Sequence, residues 1–575
     1  MKVKENYFSE LSEQIINKAK WSRERFVVFN HEAGTGKSRN AHRIIGEMTK
    51  KQSYRVLYVQ RFIKDNELEN TVDSINRHAG RKVAVGYTGE DTRKVKGKEL
   101  LSNRQIICIT HQMYIQICRG EHQYLVKGRD ILIIDEYPDL LEKIRISGNE
   151  IGQLWTECNK WGTPEIGEWA LLLRNLKDEK STCAQEMKFI DFTENGYMLA
   201  RMIKSAIIRL NVKRSDEYKD ILQKSLKLIK NGGYLFEDGF HTFDGNQQLV
   251  LLKNNIILDA NAAFDYRYVL CERFNVRKQD KAFEYAKDTL HHIQVSTTKK
   301  GIQKFSELAQ EAMKRIQIEG KSGVLFVTDK ANVEKLREEI IQYSSPYGTS
   351  IEEIEERLKC KISFDYFGNI IGVNHYRDYD CVVLLKTPHY DYLTYASTYH
   401  YFKWMNHQLV DDVQLFRHKE VEAIRRSTVA GEMYQAIKRV NRDNSRRMDV
   451  YVFTDYQEAV DLVIEQLPNI RYDKKDLEEK RSSGRHYNNA KREKSTKSEK
   501  AKTILLEAKM NGIEMMQKLE LRNLLEIKSG GNFTKILDKL EAFLREHGIS
   551  HTGQQIWFHD DLRNLDNKDD LNEST

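Results

Sequence analysis

The feature that most constrains the fold lies near the start of the chain, where a strand pattern, a glycine turn and a helix pattern follow one another. Arg25–Phe29 is a short apolar run typical of a buried parallel strand, and residues 41–48 carry apolar side chains at helical spacing. Between them lie Gly34, Thr35, Gly36, Lys37 and Ser38. This order predicts a phosphate-binding loop, because glycines let backbone amides face an anion and the helix adds a positive dipole end.

Two side chains of this loop have the chemistry for binding a nucleotide and its metal ion. Lys37 is expected to reach the β- and γ-phosphates of ATP, and Ser38 is expected to bind Mg²⁺. The loop departs from the usual pattern at its first position, where His31 stands in place of Gly or Ala. An ordinary glycine turn is the simpler alternative, but the flanking strand and helix favour a phosphate site.

A later strand pattern ends in two carboxylates. Ile131–Ile134 is an aliphatic run followed by Asp135 and Glu136. Ligands of open α/β sheets bind at the carboxyl ends of the strands, so these acids are expected beside the phosphate loop. Asp135 is expected to join Ser38 in binding Mg²⁺, and Glu136 is expected to polarise the attacking water.

Three polar side chains recur at a helical spacing near residue 440. Gln435 is followed four residues later by Arg439, and three residues after that by Arg442. This spacing predicts that all three share one helix face. Guanidinium groups suit the charge that builds on a transferring phosphoryl group, because they stay charged and bind oxygens in a bidentate way. A basic, solvated helix face is the alternative, and the order of the preceding motifs favours the catalytic role.

These motifs, in this order, resemble those of the superfamily 2 DEAD/DEAH-box-like helicases, of a bacterial or phage type. The resemblance spans about residues 20–460 and implies an α/β fold with two RecA-like parallel-sheet lobes. It implies an ATP hydrolase that uses Mg²⁺ and closes its lobes on ATP. The catalytic residues that the resemblance implies are Asp135, Glu136, Gln435, Arg439 and Arg442.

Three weaker motifs complete the resemblance. In the family they couple the ATP site to lobe movement or contact the nucleic acid. The corresponding residues here are Thr110, His111 and Gln112, then Asp259 and Asn261, then Gly372 and Asn374. We expect them to have coupling or nucleic-acid-contacting roles.

The domain boundaries follow from where the strand and helix patterns change. We predict a first lobe over residues 1–139 and 251–294, a helical insertion over 140–250, a second lobe over 295–468, a basic linker over 469–500, a helical domain over 501–558 and an acidic tail over 559–575. The iron–sulfur helicases carry an arch-like insertion at the same place. The insertion is expected either to guide a strand or bind a protein partner, or to be structural decoration. The C-terminal helical domain is either helix-turn-helix-like or a helical cap or oligomerisation bundle.

Composition excludes several classes of protein. The net charge of +8 fits a polyanionic partner only weakly. No apolar run is long enough to span a membrane, and the N-terminus lacks the features of a secretory signal. The seven cysteines are scattered, which argues against a cysteine-ligated metal and favours a reducing, cytoplasmic location.

Taken together, these patterns predict an ATP-dependent nucleic-acid helicase or translocase. DNA is favoured over RNA because the C-terminal domain resembles a helix-turn-helix. A viral packaging motor would need a nuclease-like cluster of carboxylates, which the sequence lacks. The alternative from a different class is a nucleic-acid-binding regulator or ATP switch that does not unwind its substrate.

Overall fold

The computed structural model describes most of the chain as two compact units, residues 1–475 and 476–575. The described residues are 6–61, 66–89, 101, 104–180, 185–210, 216–245, 248–297, 305–316, 318–370, 375–477, 497–525, 527 and 530–559. No helix within these ranges combines the length and apolarity that a membrane crossing requires. The first unit contains two parallel sheets and an insertion, and the second is a small separate fold.

The first lobe is built on a seven-stranded sheet in which every recorded pairing is parallel. Its strands are β1 (Phe26–Phe29), β2 (Val56–Gln60), β3 (Ala84–Gly86), β4 (Ile106–Thr110), β5 (Ile131–Asp135), β10 (Asn254–Leu258) and β11 (Phe274–Arg277). Their order is β11-β1-β10-β5-β2-β4-β3. The sheet therefore places the ends of β1, β10 and β5 side by side, so that three of the predicted motifs meet at one edge.

Helices cover this sheet and bury its apolar faces. They are α1 (Ser9–Ile16), α2 (Lys37–Met48), α3 (Glu67–Ala79), α4 (His111–Cys118) and α9 (Arg267–Leu270). Strands buried on both faces explain the continuous aliphatic runs in the sequence, because parallel sheets leave neither face to solvent.

The second lobe has a six-stranded sheet of order β14-β13-β15-β17-β12-β18. Its strands are β12 (Thr289–Gln294), β13 (Gly323–Thr328), β14 (Lys361–Tyr366), β15 (Cys381–Leu384), β17 (Asp449–Phe453) and β18 (Arg471–Asp476). Its helices are α10 (Phe305–Met313), α11 (Val333–Tyr343), α12 (Ile351–Leu358), α14 (Lys419–Ile437) and α15 (Gln457–Glu465).

Two predicted boundaries of this lobe were wrong. The prediction assigned residues up to 294 to the first lobe, but β12 pairs in parallel with β17 and so belongs to the second. The predicted linker 469–500 begins with β18, which lies at the sheet edge beside β12. The sequence pattern missed β18 because five of its six residues are charged, as suits a strand at an exposed edge.

The insertion is not purely helical, which corrects the prediction for residues 140–250. Its helices are α5 (Gly148–Glu157), α6 (Glu165–Lys180), α7 (Gly196–Leu210) and α8 (Asp216–Asn231). They pack with a sheet of β6 (Lys143–Ser147), β7 (Glu186–Ile190), β8 (Gly233–Phe236) and β9 (Gly239–Phe243). The strands are four or five residues long and joined partly by a tight turn, so they lack the long periodicity by which sequence patterns are recognised.

The insertion also takes in part of the sequence that was predicted to be second lobe. Strand β16 (Val413–Gln414) pairs antiparallel with β7, and α13 (Tyr392–Met405) packs beside it. Tyr399 and Tyr234 are fully buried in the resulting core. The second lobe therefore contacts the insertion through residues far away in sequence.

The C-terminal unit contains three helices and a three-stranded antiparallel sheet, so it is not purely helical as predicted. In chain order it has α16 (Lys497–Met510), β19 (Met515–Gln517), α17 (Lys518–Leu524), α18 (Gly530–Glu546), β20 (Ile549–Thr552) and β21 (Gln555–Phe558). This is the order of a winged helix-turn-helix domain. The predicted acidic tail lies outside the described residues except for His559.

The insertion core gives a prediction about stability. Trp169 is fully buried, and its indole N–H donates to Ser225 Oγ at 3.0 Å. We expect Trp169→Ala to destabilise the insertion by about 3–5 kcal/mol, because the change leaves a large cavity. Hydrogen exchange should show faster exchange in α6 and α8 and unchanged protection in β1 and β5. Equal loss of protection in both regions would contradict an independently packed insertion.

Candidate nucleotide site between the two lobes

The glycine turn after β1 has the backbone that a phosphate loop requires. Gly34 and Gly36 have φ values of 92° and 84°, in the left-handed region that favours glycine. A Cβ atom at Gly34 would lie 2.3 Å from the carbonyl oxygen of Arg442. Glycine is therefore required at this position both by conformation and by the close approach of the second lobe.

Lys37 lies at the start of α2 and points toward the ends of the neighbouring strands. Its Nζ donates to the Leu258 carbonyl oxygen at 3.1 Å and lies 3.7 Å from Asp135 Oδ1. Asp135 Oδ1 is buried and has no hydrogen-bond partner among the described residues. A buried carboxylate oxygen that lacks a hydrogen-bond partner is suited to bind Mg²⁺. Ser38 provides a hydroxyl close by, since both Ser38 and Asp135 interact with the Tyr58 hydroxyl.

Magnesium bound to a nucleotide usually keeps only one or two protein ligands. Within the described part of the chain, no group of three or more His, Cys, Asp or Glu side chains forms a metal cluster. Ser38 and Asp135 therefore fit an ion whose other ligands come from phosphates and water. When bound, Mg²⁺ would neutralise phosphate charge at this position.

Tyr58 is a site residue that the sequence did not reveal. Its hydroxyl donates to Asp135 Oδ2 at 3.2 Å, and it also interacts with Ser38. Burial and the Asp135 charge raise the pKa of Tyr58, so it remains a neutral donor. Within the buried strand β2 it looks like any core aromatic, and no local pattern distinguishes it.

Glu136 follows β5 in a strained conformation. Its φ of 71° is rare for a residue with a side chain, and its backbone N–H donates to the Leu258 carbonyl oxygen at 3.0 Å. Arg61 Nη1 lies 3.1 Å from Glu136 Oε2. Burial raises the pKa of Glu136, but the charges of Lys37, Arg61 and Arg439 outweigh it and lower the pKa to about 2. Glu136 is therefore ionised at neutral pH. Arg61, like Tyr58, was not predicted.

The motif after β4 packs directly against the acidic strand end. The Thr110 hydroxyl caps α4 by accepting from the Met113 N–H at 3.3 Å. His111 Nε2 lies 2.9 Å from the Asp135 carbonyl oxygen, and burial lowers its pKa, so the ring is neutral and donates there. Gln112 is exposed. Thr110 and His111 thus support the site, while Gln112 faces solvent.

The motif after β10 links the two lobes. Asp259 is buried, accepts from the Tyr268 hydroxyl at 2.8 Å and has its pKa raised by burial. Asn261 lies against α14 of the second lobe, since a Cβ atom at Gly431 would lie 3.2 Å from Asn261 Nδ2. Nearby, the Tyr266 N–H donates to Ser427 Oγ at 3.1 Å. Changes at the end of β10 can therefore reach α14 directly.

Gln435, Arg439 and Arg442 do not share a single helix face, which corrects the prediction. Helix α14 ends at Ile437, and Asn441 has a φ of 43° that helices do not allow. The cause is tertiary: Asn441 and Arg442 donate backbone N–H groups to the loop before β15, at Tyr379 and Arg377. We call residues 438–442, which leave the helix here, the arginine segment.

The arginine segment reaches the first-lobe site although it is not helical. Burial lowers the pKa of Arg439 and the nearby Glu136 charge opposes that effect. Burial also lowers the pKa of Arg442, to about 10. Both side chains are therefore cationic at neutral pH. Among the described residues Arg439 Nε and Gln435 Oε1 are buried without hydrogen-bond partners, so they are available to a ligand.

His31, the departure at the first loop position, has a structural role. Its ring packs against Phe8 and Phe29, and its Nε2 lies 3.2 Å from the Tyr7 carbonyl oxygen. Burial lowers its pKa to about 4, so it is neutral. The remaining predicted residues, Gly372 and Asn374, lie outside the described residues.

The position of Tyr58 gives a prediction about nucleotide binding. Tyr58→Phe removes the hydroxyl that donates a hydrogen bond to Asp135. We expect the affinity for Mg²⁺ to fall by roughly 10- to 100-fold, which is the usual effect of removing a hydrogen-bond partner of a metal ligand. Titration of Mg²⁺ at fixed ATP measures it. The control is Tyr114→Phe, which loses a hydroxyl bond to Val250 away from the site. An equal effect in both variants would contradict the role of Tyr58.

Comparisons with known proteins are consistent with this geometry. Residues 3–143 match the family model described as type III restriction enzyme, res subunit. Comparison with curated protein sequences gives no match. The structure of Xpd4 from S. tokodaii has a TM-score of 0.50 at 14% identity, over 81% of this chain and 99% of that one.

Two further solved structures match this chain with lower TM-scores. S. cerevisiae Dbp5 bound to RNA and ADP BeF3 has a TM-score of 0.34 at 10% identity, over 79% of this chain and 86% of that one. The DUF1998 helicase MrfA bound to DNA and AMPPNP has a TM-score of 0.35 at 11% identity, over 98% of this chain and 63% of that one. The family match covers residues 3–143 of the first lobe, and the likeness to Xpd4 shows that the two chains share a fold with two parallel-sheet lobes.

Proposed function

We propose that this protein is an ATP-driven motor that moves on or unwinds nucleic acid. One observation carries the proposal: the phosphate loop and acids of the first lobe meet the arginine segment of the second. The Arg442 carbonyl oxygen lies against Gly34, and the Arg439 charge acts on Glu136. A nucleotide bound there would contact both lobes, so its hydrolysis would change how they hold each other.

Each residue has a distinct role in this proposal. Lys37 binds the phosphates, and Ser38 and Asp135 bind Mg²⁺. Glu136 is ionised and has a low pKa, so it orients and polarises the attacking water more than it removes a proton. Arg439 and Arg442 stabilise the charge that develops on the transferring phosphoryl group.

Arg61 must release Glu136 before hydrolysis. In the structure its Nη1 lies 3.1 Å from Glu136 Oε2, so the guanidinium would compete with the attacking water for the carboxylate. Movement of Arg61 toward the phosphates would free Glu136 only when nucleotide is bound.

The family match and the fold support a nucleic-acid helicase or translocase in general. Within that class we propose DNA as the track, because the C-terminal unit has the element order of a winged helix-turn-helix domain. The exposed basic residues of α18 include Lys539 and Arg545. They provide charge suited to phosphate contacts, although acidic residues share the helix.

The first test is the steady-state ATPase rate with single-stranded DNA, duplex DNA, RNA or no nucleic acid. We expect DNA to stimulate the rate most strongly. Glu136→Gln is the blank: it should bind ATP and nucleic acid but not turn over, because the amide polarises water poorly. Stimulation by RNA alone would overturn the DNA assignment, and a rate indifferent to nucleic acid would favour an ATP switch.

The arginine segment gives a second prediction. Arg442→Ala should keep ATP binding and lose roughly 10³-fold or more in kcat, as expected for an arginine that stabilises transition-state charge. Lys37→Ala should lose nucleotide binding instead. The matched control is Arg446→Ala, because Arg446 lies just beyond the segment and donates to the Asp378 carbonyl oxygen. Normal hydrolysis by Arg442→Ala would show that the catalytic role of Arg442 is wrong.

A further inference from the structure

A buried pair of opposite charges crosses the boundary between the lobes. Glu32 lies in the phosphate loop and is 1% exposed, and Lys438 opens the arginine segment and is 3% exposed. Lys438 Nζ lies 3.7 Å from Glu32 Oε1 and donates to the Tyr285 hydroxyl at 2.5 Å. The Tyr285 hydroxyl in turn donates to Glu32.

Glu32 also holds the interlobe linker, residues 278–288. Its Oε2 accepts the backbone N–H groups of Ala282 at 2.8 Å and Phe283 at 3.2 Å. The same linker supplies Tyr285, whose ring lies 4.8 Å from Lys438 Nζ. Three separate parts of the chain therefore meet at one carboxylate: the phosphate loop, the linker and the arginine segment.

Removing only one partner of this buried ion pair is energetically costly. A buried charge that loses its partner keeps its full desolvation penalty, so removal of either partner leaves an unfavourable state. Water does not compete for these groups because both side chains are buried. Lys438 directly precedes Arg439, so fixing its position also fixes where Arg439 starts.

We propose that Glu32, Tyr285 and Lys438 form an interlobe joint that holds the arginine segment against the phosphate loop and thereby positions Arg439. This inference rests on the proposed ATPase function. The three residues are positioning residues, since each acts through the backbone or side chain of another. In this proposal the joint is the fixed contact about which the lobes turn.

The charge of Lys438 makes the joint sensitive to pH. Burial lowers the pKa of Lys438 to about 8, although the Glu32 charge opposes that effect. The charged groups that face Lys438 are Glu32, Asp288, Arg442 and Lys281. The ammonium is present below about pH 8 and is lost above it. The Lys438–Glu32 attraction should therefore fade as the pH rises through that value.

The kinetic test compares the wild-type protein with three variants across pH 6.5–9, a range that passes the Lys438 pKa of about 8 and stays below the Arg442 pKa of about 10. Lys438→Met should lower kcat by about 10²-fold, which is the loss expected when a catalytic group such as Arg439 is misplaced by roughly 1 Å. The KM for ATP should change by less than about threefold. Lys438→Arg should keep activity and lack the alkaline decline, because guanidinium stays charged. Adding Glu32→Gln to Lys438→Met should cost little more than Lys438→Met alone, because the paired charges act as one unit.

The matched control is Lys321→Met, which breaks the Lys321–Asp449 pair inside the second lobe. It removes a largely buried lysine charge without touching the lobe boundary. A similar fall in kcat in Lys321→Met and Lys438→Met would overturn the joint, because the loss would then reflect general destabilisation. An alkaline decline that persists unchanged in Lys438→Arg would also overturn it.

A distance measurement tests the joint without relying on hydrolysis. In a Cys183→Ser background, fluorophores on Lys50→Cys in the first lobe and Glu338→Cys in the second report the interlobe distance, since both positions are exposed and the other six cysteines are buried. Without nucleotide, Lys438→Met should broaden the distance distribution, and Lys321→Met should not. An unchanged distribution in Lys438→Met would overturn the joint. Failure of wild-type ATP turnover would instead overturn the proposed function and leave this readout intact.

Discussion

The approach of the Arg442 carbonyl oxygen to the phosphate loop determines the rest of the cleft. At Gly34 the space for a side chain is already filled by this oxygen, so the second lobe rests directly on the loop. This contact brings Arg439 close enough to lower the pKa of Glu136. The acid of one lobe and the cations of the other therefore form a single electrostatic unit before any nucleotide enters.

The charges in that unit are unequal. Lys37, Arg61, Arg439 and Arg442 surround the two carboxylates of Asp135 and Glu136. The excess of positive charge is energetically unfavourable in a buried site. Burial and the repulsion between Arg439 and Arg442 lower the pKa of Arg442 to about 10. A triphosphate would supply the missing negative charge, so these charges are better suited to a polyanion than to a neutral ligand.

The sequence revealed the parts of this site that depend on local order. The phosphate loop and the acidic strand end lie on regular elements whose spacing the sequence shows, and in the structure Lys37 Nζ lies 3.7 Å from Asp135 Oδ1. It could not reveal Tyr58 or Arg61, because each looks like an ordinary residue in or after a buried strand. It also could not reveal that α14 ends at Ile437, because the backbone bonds that stop it come from a distant loop.

The choice of charged residues at the interlobe joint has a physical reason. A buried ion pair contributes little net stability compared with apolar side chains of the same volume, so stability alone does not explain Glu32 and Lys438. Its advantage is direction: Glu32 accepts two linker N–H groups and a hydroxyl, which fixes both distance and angle where apolar packing would allow sliding. Within α14 itself the contacts with the first lobe are of another kind: Asn261 packs against Gly431, and the Tyr266 N–H donates a single hydrogen bond to Ser427 Oγ at 3.1 Å. In the proposed joint, the three bonds to Glu32 would act as the fixed point about which small movements at the nucleotide turn the second lobe.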